Sequence, residues 1–445
     1  MKILHYFLGF PPYRSGGLTK FAYDLMNAQV SDGNEVAALW PGTMTKIGVN
    51  PKIKKKKNIQ NIQNFELINP LPVPLDEGIG DADAFTQACD AKIYKSFLEA
   101  FNPAVIHIHT LMGMHKEFID AANDLKIRTI YTSHDYFGLC PKVTLYRYGS
   151  SCEDDNTCHK CIQCNLNCLS LKKIQIMQSP FYRMAKNTAL VKGLRKHHRG
   201  NFFAEEQLPD MPNVDAEERA KQYQMLRAYY VKMYEKIDCI HFNSTVSEAV
   251  FKKYLTPKDS KVVSITHVGV SDHRNTKHKK SEKLRILFLA PAKPFKGFTV
   301  LKTALDELWR EGKRDFELKV FSPVMKPSPY MVIKEDGFKQ SELAEIFSDS
   351  DVLVAPSVWY ETFGFTVLEA ISYGIPVIVS DHIGAKDIVN GCGVIVQAGN
   401  VSELKCALTS RDRIENLRTK IKTDGAIKSW EEFVKELYYL YTGRN

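Results

Sequence analysis

The sequence predicts an α/β protein of two doubly wound, Rossmann-like sheets, and three observations predict it. Short apolar runs of strand length alternate with amphipathic stretches of helix length along both halves of the 445 residues. A polar, charged segment at 275–283 (NTKHKKSEK) parts the two blocks. The first block opens as strand, glycine loop, helix and strand, with Ser15-Gly16-Gly17 between the first apolar run and the first amphipathic stretch.

In the first block, Lys2–Leu8, Glu35–Leu39, Ala104–His109, Arg128–Thr132 and Asp238–Phe242 read as strands. Leu18–Val30, a long stretch from Ala84 to Phe101, Lys116–Leu125, Ala216–Lys236 and Val246–Tyr254 read as helices. The rhythm breaks from Cys140 to about Pro212, which carries cysteines, basic residues and no clear strand, and reads as an insertion. In the second block the strands are Leu284–Ala290, Phe316–Phe321, Asp351–Ala355, Pro376–Ser380 and Gly393–Val396. Its helices are Thr299–Glu311, Ser341–Phe347 and Phe365–Tyr373. The expected division is therefore a domain over residues 1–275 with the insertion at about 140–212, and a second over 276–425. A terminal helix over 426–445 is expected to pack back on the first domain. Ligands of such sheets bind in the crevice beyond the carboxyl ends of the strands, so the site is expected between the domains.

Hydrophobic residues make up 44% and charged residues 25%, an ordinary globular composition that excludes disorder. No segment approaches the 18 unbroken apolar residues of a membrane span. Met1–Phe10 is followed at once by Pro11, Pro12 and Arg14 and reads as a first strand, not a leader. A cytoplasmic address is the expectation. The net charge is +9, with basic clusters at Lys52, Lys54 to Lys57, at 195–199 and at 277–283. Two readings stand side by side: solvated loops, or affinity for an anionic surface such as the inner face of a membrane or a lipid-linked phosphate. Nucleic acid is not expected, because these runs lack interleaved aromatics and a binding motif.

The chemistry concentrates in Pro356 to Ala370, PSVWYETFGFTVLEA, which leaves a strand and opens a helix. Glu361 falls in the loop and Glu369 within the helix, while the N–H groups of Gly364, Phe365 and Thr366 lie at a helix start that attracts phosphate. Spacing alone equally suits a capped helix with two surface acids. The segment resembles the double-glutamate motif of family 4 of the retaining GT-B glycosyltransferases. That resemblance implies that Glu361 contacts the donor sugar's hydroxyls and Glu369 the nucleotide's ribose. It recurs, in order, at other places along nearly the whole chain outside 140–212. Ala290 to Gly297, APAKPFKG, resembles the family's Arg, gap, Lys-Gly pattern. Lys296-Gly297 matches, and Lys293 stands where arginine is usual, giving a point charge in place of a bidentate fork. Both cations would neutralise the departing diphosphate. Ser15-Gly16-Gly17 resembles the family's opening loop, which implies backbone N–H contacts from Gly16 and Gly17 to the donor phosphate. Thr132 to Tyr136, TSHDY, resembles the His-Asp motif and places His134 beside the transferred sugar. His109, ending the preceding strand, is a weaker acceptor-side candidate, and Ser244 of NSTVSE reads as structural.

The resemblance implies the GT-B fold and front-face transfer of a hexose from a nucleotide-diphosphate sugar, with retention, to a glycan acceptor. The acceptor is expected to be lipid-linked, in surface polysaccharide synthesis. A small soluble acceptor such as a sugar phosphate, or a non-catalytic sugar-nucleotide-binding partner, are the alternatives. No cofactor is expected for the chemistry, because no Asp-x-Asp motif sits in a convincing setting and lysines can supply the charge.

Six of ten cysteines lie in 140–168, and the last four are spaced Cys-x2-Cys-x2-Cys-x3-Cys. An iron–sulfur reading lacks the second half-motif and the following proline, Leu169 standing in its place. Structural zinc and a group of reduced thiols remain equally open. A subset of the family resembles this chain from His134 through Cys140-Pro141 and Arg147 to Cys152 and a later Cys-x2-Cys. That match implies Cys140, Cys152, Cys158 and Cys161 as the zinc set.

Overall fold

The computed structural model describes residues 1–45, 49–153, 156–189, 191–193, 210–212, 215–279, 281–424 and 427–443. The expected cluster at 195–199 lies outside them.

Sixteen strands fall in three sheets among the described residues. The first half supplies β1 (Lys2–Tyr6), β2 (Glu35–Pro41), β3 (Lys52–Ile59), β4 (Ile62–Ile68), β5 (Val105–Ile108), β6 (Arg128–Thr132), a two-residue hairpin of β7 (Tyr146–Arg147) and β8 (Ser150–Ser151), β9 (Cys239–Phe242) and β10 (Ser260–Val262). The second half supplies β11 (Leu284–Phe288), β12 (Phe316–Val320), β13 (Met331–Ile333), β14 (Val352–Ala355), β15 (Val377–Ser380) and β16 (Gly393–Val396). The first sheet runs β10-β9-β6-β5-β1-β2-β4-β3 and the second β13-β12-β11-β14-β15-β16. Every pairing is parallel except β3 with β4 and the β7–β8 hairpin.

Strand order reverses at β1/β5 in one sheet and at β11/β14 in the other. A crevice opens beyond the strand ends wherever successive crossovers leave in opposite directions. The loops that leave β1, β5, β11 and β14 carry Gly16-Gly17, His109, Lys293–Lys296 and Glu361 in turn. Strands β5, β9 and β15 are buried at every residue, as parallel strands covered by helices on both faces must be.

The structure corrects several sequence expectations. The helix expected from Ala84 covers only Lys92–Phe101, after a single turn at Asp83–Phe85. Asp90 Oδ1 accepts from the Lys92 backbone N–H at 3.0 Å, a local bond that competes with the helix ladder and starts the helix late. The lysines at 52–57 sit on an antiparallel edge strand, not a loop. Exposed lysines on an edge repel further strands, which gives this cluster a structural purpose beside the anionic-surface reading. Its partner β4 was missed because polar Gln63, Asn64 and Glu66 interrupt the apolar signal. Glu66 is buried there, paired with Lys56 at 2.8 Å and Arg183 at 2.8 Å. Between β6 and the helix Ala216–Lys236, the described residues form the β7–β8 hairpin and short helices at His159–Cys164, Leu171–Met177 and Pro180–Ala185.

The chain at His273, just before segment 275–283, and Lys279 within it adjoin the second domain: the His273 N–H donates to Ser372 O and the Lys279 N–H to Ser348 O. The terminal helix Trp430–Thr442 lies on the first domain, where Arg128 Nε donates to Leu440 O at 2.8 Å. Phe21 packs edge-on against Trp430 and Phe433. Among the described residues no helix is long and apolar enough to cross a membrane.

Candidate active site

The loop from β14 into the helix Phe365–Ser372 is held in shape by its own hydrogen bonds. The Glu361 N–H donates to His382 O, and Gly384 and Ala385 donate back to Glu361 O and Phe363 O. Gly364 caps the helix at φ +106°, where a Cβ would stand 2.6 Å from Ile383 Cδ1. The loop after β11 makes a single turn, Pro294–Lys296, and ends on Gly297 at φ +79°. A Cβ on Gly297 would meet Pro356 O at 1.8 Å, so only glycine lets the two loops lie this close.

That approach puts Lys296 against Glu361: Nζ donates to Oε1 at 2.7 Å, and Ser357 Oγ donates to Oε2 at 2.7 Å. Lys296 Nζ also stands 4.8 Å from the centre of the Trp359 ring. Burial raises the Glu361 carboxyl pKa, but the Lys296 charge and hydrogen bond, with Ser357, outweigh it and hold the group below its ordinary value. Lys296, Ser357, Glu361, Phe365, Thr366 and the Leu289–Pro291 strand end line one cavity of about 180 Å³. An anion there meets a lysine and a helix N-terminus, while the carboxylate oxygens can accept from hydroxyl groups.

Other expected residues stand apart from this cavity. Lys293 precedes the turn, and among the described residues its ammonium makes no ion pair. Glu369 lies on the same helix but not in the cavity wall. Its Oε1 is 3.4 Å from Gln340 Nε2 and 3.3 Å from His267 Nε2. Gly16 and Gly17 are exposed at the start of the helix Gly17–Ser31, and no atom lies within 4 Å of a Cβ built on either.

His134 reaches the Glu361 loop through the backbone: Thr362 Oγ1 donates to His134 O at 3.1 Å. Its ring packs edge-on against Phe21 at 4.9 Å, and its Nε2 is 3.1 Å from His109 Nδ1. Burial, with His241 nearby, pushes His134 down to about 3, so the ring is neutral. Burial raises Asp135 to about 6, against the Phe137 N–H that donates to it at 3.0 Å. Ser244 caps the helix Thr245–Lys252 and also donates to Thr362 O at 2.6 Å, a second tie between the domains.

Sequence reasoning missed Ser357, Thr362 and the contacts of the cysteine segment. Ser151 Oγ donates to Val358 O at 2.7 Å, and Tyr360 Oη donates to Glu153 Oε1 at 2.7 Å. Tyr146 and Phe295 rings meet at 5.9 Å. The segment thus braces the Glu361 loop from the first domain. No periodicity announces such contacts. The only signal was that Ser357 and Thr362 are hydroxyl residues in an otherwise largely aromatic and apolar loop around the glutamate.

The cysteines do not assemble as expected. All ten are outside disulfides. Cys161 is hydrogen-bonded to Cys158 and lies near Cys140; that hydrogen bond first, then burial and the neighbouring thiols, push it well above the ordinary thiol value. Among the described residues, the only three or more His, Cys, Asp or Glu ligand atoms within 4.8 Å of one another belong to His5, His107 and His109. Cys140, Cys152, Cys158 and Cys161 as placed do not fit a closed tetrahedral zinc site.

Residues 283–410 match the family described as glycosyl transferases group 1. Among curated proteins none matches the sequence. Solved structures of similar fold include a sucrose-phosphate synthase from Thermosynechococcus elongatus, with TM-score 0.54 and 14% identity, covering 99% of this chain and 98% of that one. HepE from Anabaena, in complex with UDP and glucose, has TM-score 0.53 and 12% identity, covering 99% of each chain. WaaG, a glycosyltransferase involved in lipopolysaccharide biosynthesis, has TM-score 0.51 and 12% identity, covering 99% of this chain and 100% of that one. The two Rossmann-like domains therefore make the GT-B fold, and the match over residues 283–410 together with that fold supports a glycosyltransferase.

Proposed function

We propose that the protein is a retaining glycosyltransferase of the family 4 type that moves a hexose from a nucleotide-diphosphate sugar to a lipid-linked glycan in surface polysaccharide synthesis. The observation that carries this reading is the Lys296–Glu361 pair at 2.7 Å in the wall of the cavity between β11 and β14. In this reading the donor's diphosphate lies on the N-terminus of the helix Phe365–Ser372, and Lys296 and Lys293 neutralise the charge that grows as the glycosidic bond breaks. Gly16 and Gly17 offer N–H groups from the facing domain. Glu361 accepts from sugar hydroxyls, Glu369 from the ribose, and His134 borders the sugar. The acceptor hydroxyl enters on the face the diphosphate leaves, and a donor phosphate oxygen takes its proton. The lysine edge strand β3 supports a peripheral, anionic membrane contact on the cytoplasmic face.

Incubating the purified protein with a panel of nucleotide-sugars, with and without lipid-linked acceptor, tests the reading. Nucleotide diphosphate released in step with acceptor glycosylation is expected, and it should be abolished in Glu361→Ala. Equal turnover in that variant refutes the assigned site. Turnover on a free sugar phosphate but on no lipid-linked glycan refutes the acceptor class.

A further inference from the structure

A single hydrogen-bonded chain runs from His134 through the interior of the first domain to the terminal helix and beyond. His134 Nε2 is 3.1 Å from His109 Nδ1, His109 Nε2 is 3.0 Å from His5 Nδ1, and His5 Nε2 is 2.7 Å from Gln29 Oε1. Gln29 Nε2 donates to Tyr441 Oη at 2.9 Å, and that hydroxyl is 2.6 Å from His107 Nδ1. His107 Nε2 is 2.7 Å from Thr132 Oγ1, Thr132 Oγ1 is 2.9 Å from His241 Nδ1, and His241 Nε2 is 2.8 Å from Val263 O. His5, His107, His109 and His241 are completely buried.

The proton positions follow from the far end. A carbonyl only accepts, so His241 carries its proton on Nε2 and leaves Nδ1 as an acceptor. Burial keeps all five imidazoles neutral, so each has one donor and one acceptor. Thr132 must then donate to His241 and accept from His107 Nε2. Tyr441 must donate to His107 Nδ1, which leaves it only an acceptor toward Gln29 and fixes the Gln29 amide. His5, His109 and His134 follow in the same sense, each with its proton on Nε2. His134 Nδ1 takes no hydrogen bond among the described residues, so the chain ends there on a bare lone pair. The close approach of His5, His107 and His109 could suggest a metal. Each of their ring nitrogens is already engaged in the chain, so a metal would have to break it.

We propose that the terminal helix, through Tyr441, fixes the tautomer of His134 so that its Nδ1 offers a lone pair to a hydroxyl of the bound sugar. Tyr441 is then a positioning residue and His134 a hydrogen-bond acceptor toward its ligand. This rests on the proposed placement of His134 beside the donor, but the ring assignment itself does not.

Nitrogen-15 histidine NMR on the full-length protein reads the tautomer without turnover. His134 is expected with a protonated Nε2 and a bare Nδ1, and the opposite pattern overturns the proposal. In Tyr441→Phe the Gln29 amide loses its acceptor and can rotate to donate to His5, which reverses His5, His109 and His134 together. Gln29→Met breaks the same link should the first variant fold poorly, and is expected to give a mixture of tautomers. An unchanged His134 spectrum in a folded variant overturns the proposal. Tyr438→Phe, on the same helix but bonded to Asn34 and Asp32, is expected to leave the tautomer alone; a change there as large as in Tyr441→Phe would mean that helix packing, not the chain, sets the ring, and overturns the proposal. On the activity side kcat is expected to fall about 5-fold to 10-fold in Tyr441→Phe, the worth of one hydrogen bond. A reversed ring with unchanged kcat refutes the placement of His134 beside the sugar and leaves the tautomer assignment standing.

Discussion

Replacing Lys296 by Met should damage both the fold and the chemistry, and the two losses can be separated. At 2.7 Å and an effective dielectric constant of about 20, the attraction of Lys296 for Glu361 is ~6 kcal/mol before desolvation. Both side chains are mostly withdrawn from water, at 17% and 18% exposure, so much of that gain is spent on dehydrating them. Removing the lysine alone leaves a buried carboxylate with only the neutral donors Ser357 and Trp359 to stabilise its charge, a loss of roughly 3 kcal/mol of stability. Glu361 now sits below its ordinary value of 4.5, so its contribution is present above that pH and disappears as pH falls through the lowered value. In Lys296→Met burial wins, and the carboxyl moves up instead. Adding Glu361→Gln to Lys296→Met removes the stranded charge and should restore most of the stability. The transfer rate should fall ~100-fold or more in the single variant and stay low in the double, because the diphosphate has still lost its cation. Urea unfolding at pH 7 and product release at saturating donor are the assays. A Lys296→Met protein that unfolds at the wild-type urea concentration, or a double variant that recovers turnover, would refute the argument.

Gly297→Ala puts a Cβ 1.8 Å from Pro356 O in a left-handed backbone, and should cost roughly 3 kcal/mol by urea unfolding while opening the gap between Lys296 and Glu361. Gly17→Ala has open space around it and should leave stability nearly unchanged, so any loss of donor affinity there reports close approach of a ligand. Asp135 is raised from 3.8 to about 6 by burial, so the fold favours its protonated form: that stability is complete below about 3.8 and is lost as pH rises through about 6. Asp135→Asn should flatten the urea midpoint over that window, and a profile identical to wild type would refute the assignment. For the cysteines, protein purified without chelator should carry much less than one zinc per chain; stoichiometric metal with Cys158 and Cys161 protected from alkylation would show the thiols closing on an ion after all.

The second sheet was the more legible half, and the physical reason is local consistency. Strands such as β14 and β15 are short, apolar but for Ser380 at the end of β15, and the loop that carries Glu361 follows β14. Glu361, Lys296 and Thr366 could be named because each sits next to a strand end in a pattern that also recurs in a family. What the sequence hid was mostly three-dimensional. Glu66 reads as a surface acid until Arg183, over a hundred residues later, folds against it. The helix expected from Ala84 fails because Asp90 bonds locally, a competition that average propensity does not weigh. The histidines of β1, β5 and β9 carry no signal at all, since alternate residues of a parallel strand are normally apolar and nothing local shows that a buried imidazole has partners on both nitrogens.

The Glu361 loop ties the two domains together as well as lining the cavity. Thr362 alone bonds His134 through its hydroxyl and Ser244 through its carbonyl, both from the first domain. Val358 and Tyr360, a few residues earlier, take Ser151 and Glu153 of the cysteine segment. Glu361, to which the proposed function gives the sugar hydroxyls, therefore lies on the very segment whose neighbours tie the domains together. Any closing motion must shift His134 and Glu361 together or break Thr362 from one of them. Since the Gly297 backbone lies against Pro356 on the same side, the lysine and glutamate would travel as one body, and the cavity would change by the approach of the glycine loop, where a Cβ built on Gly16 or Gly17 would meet no atom within 4 Å beyond its own helix and chain neighbours.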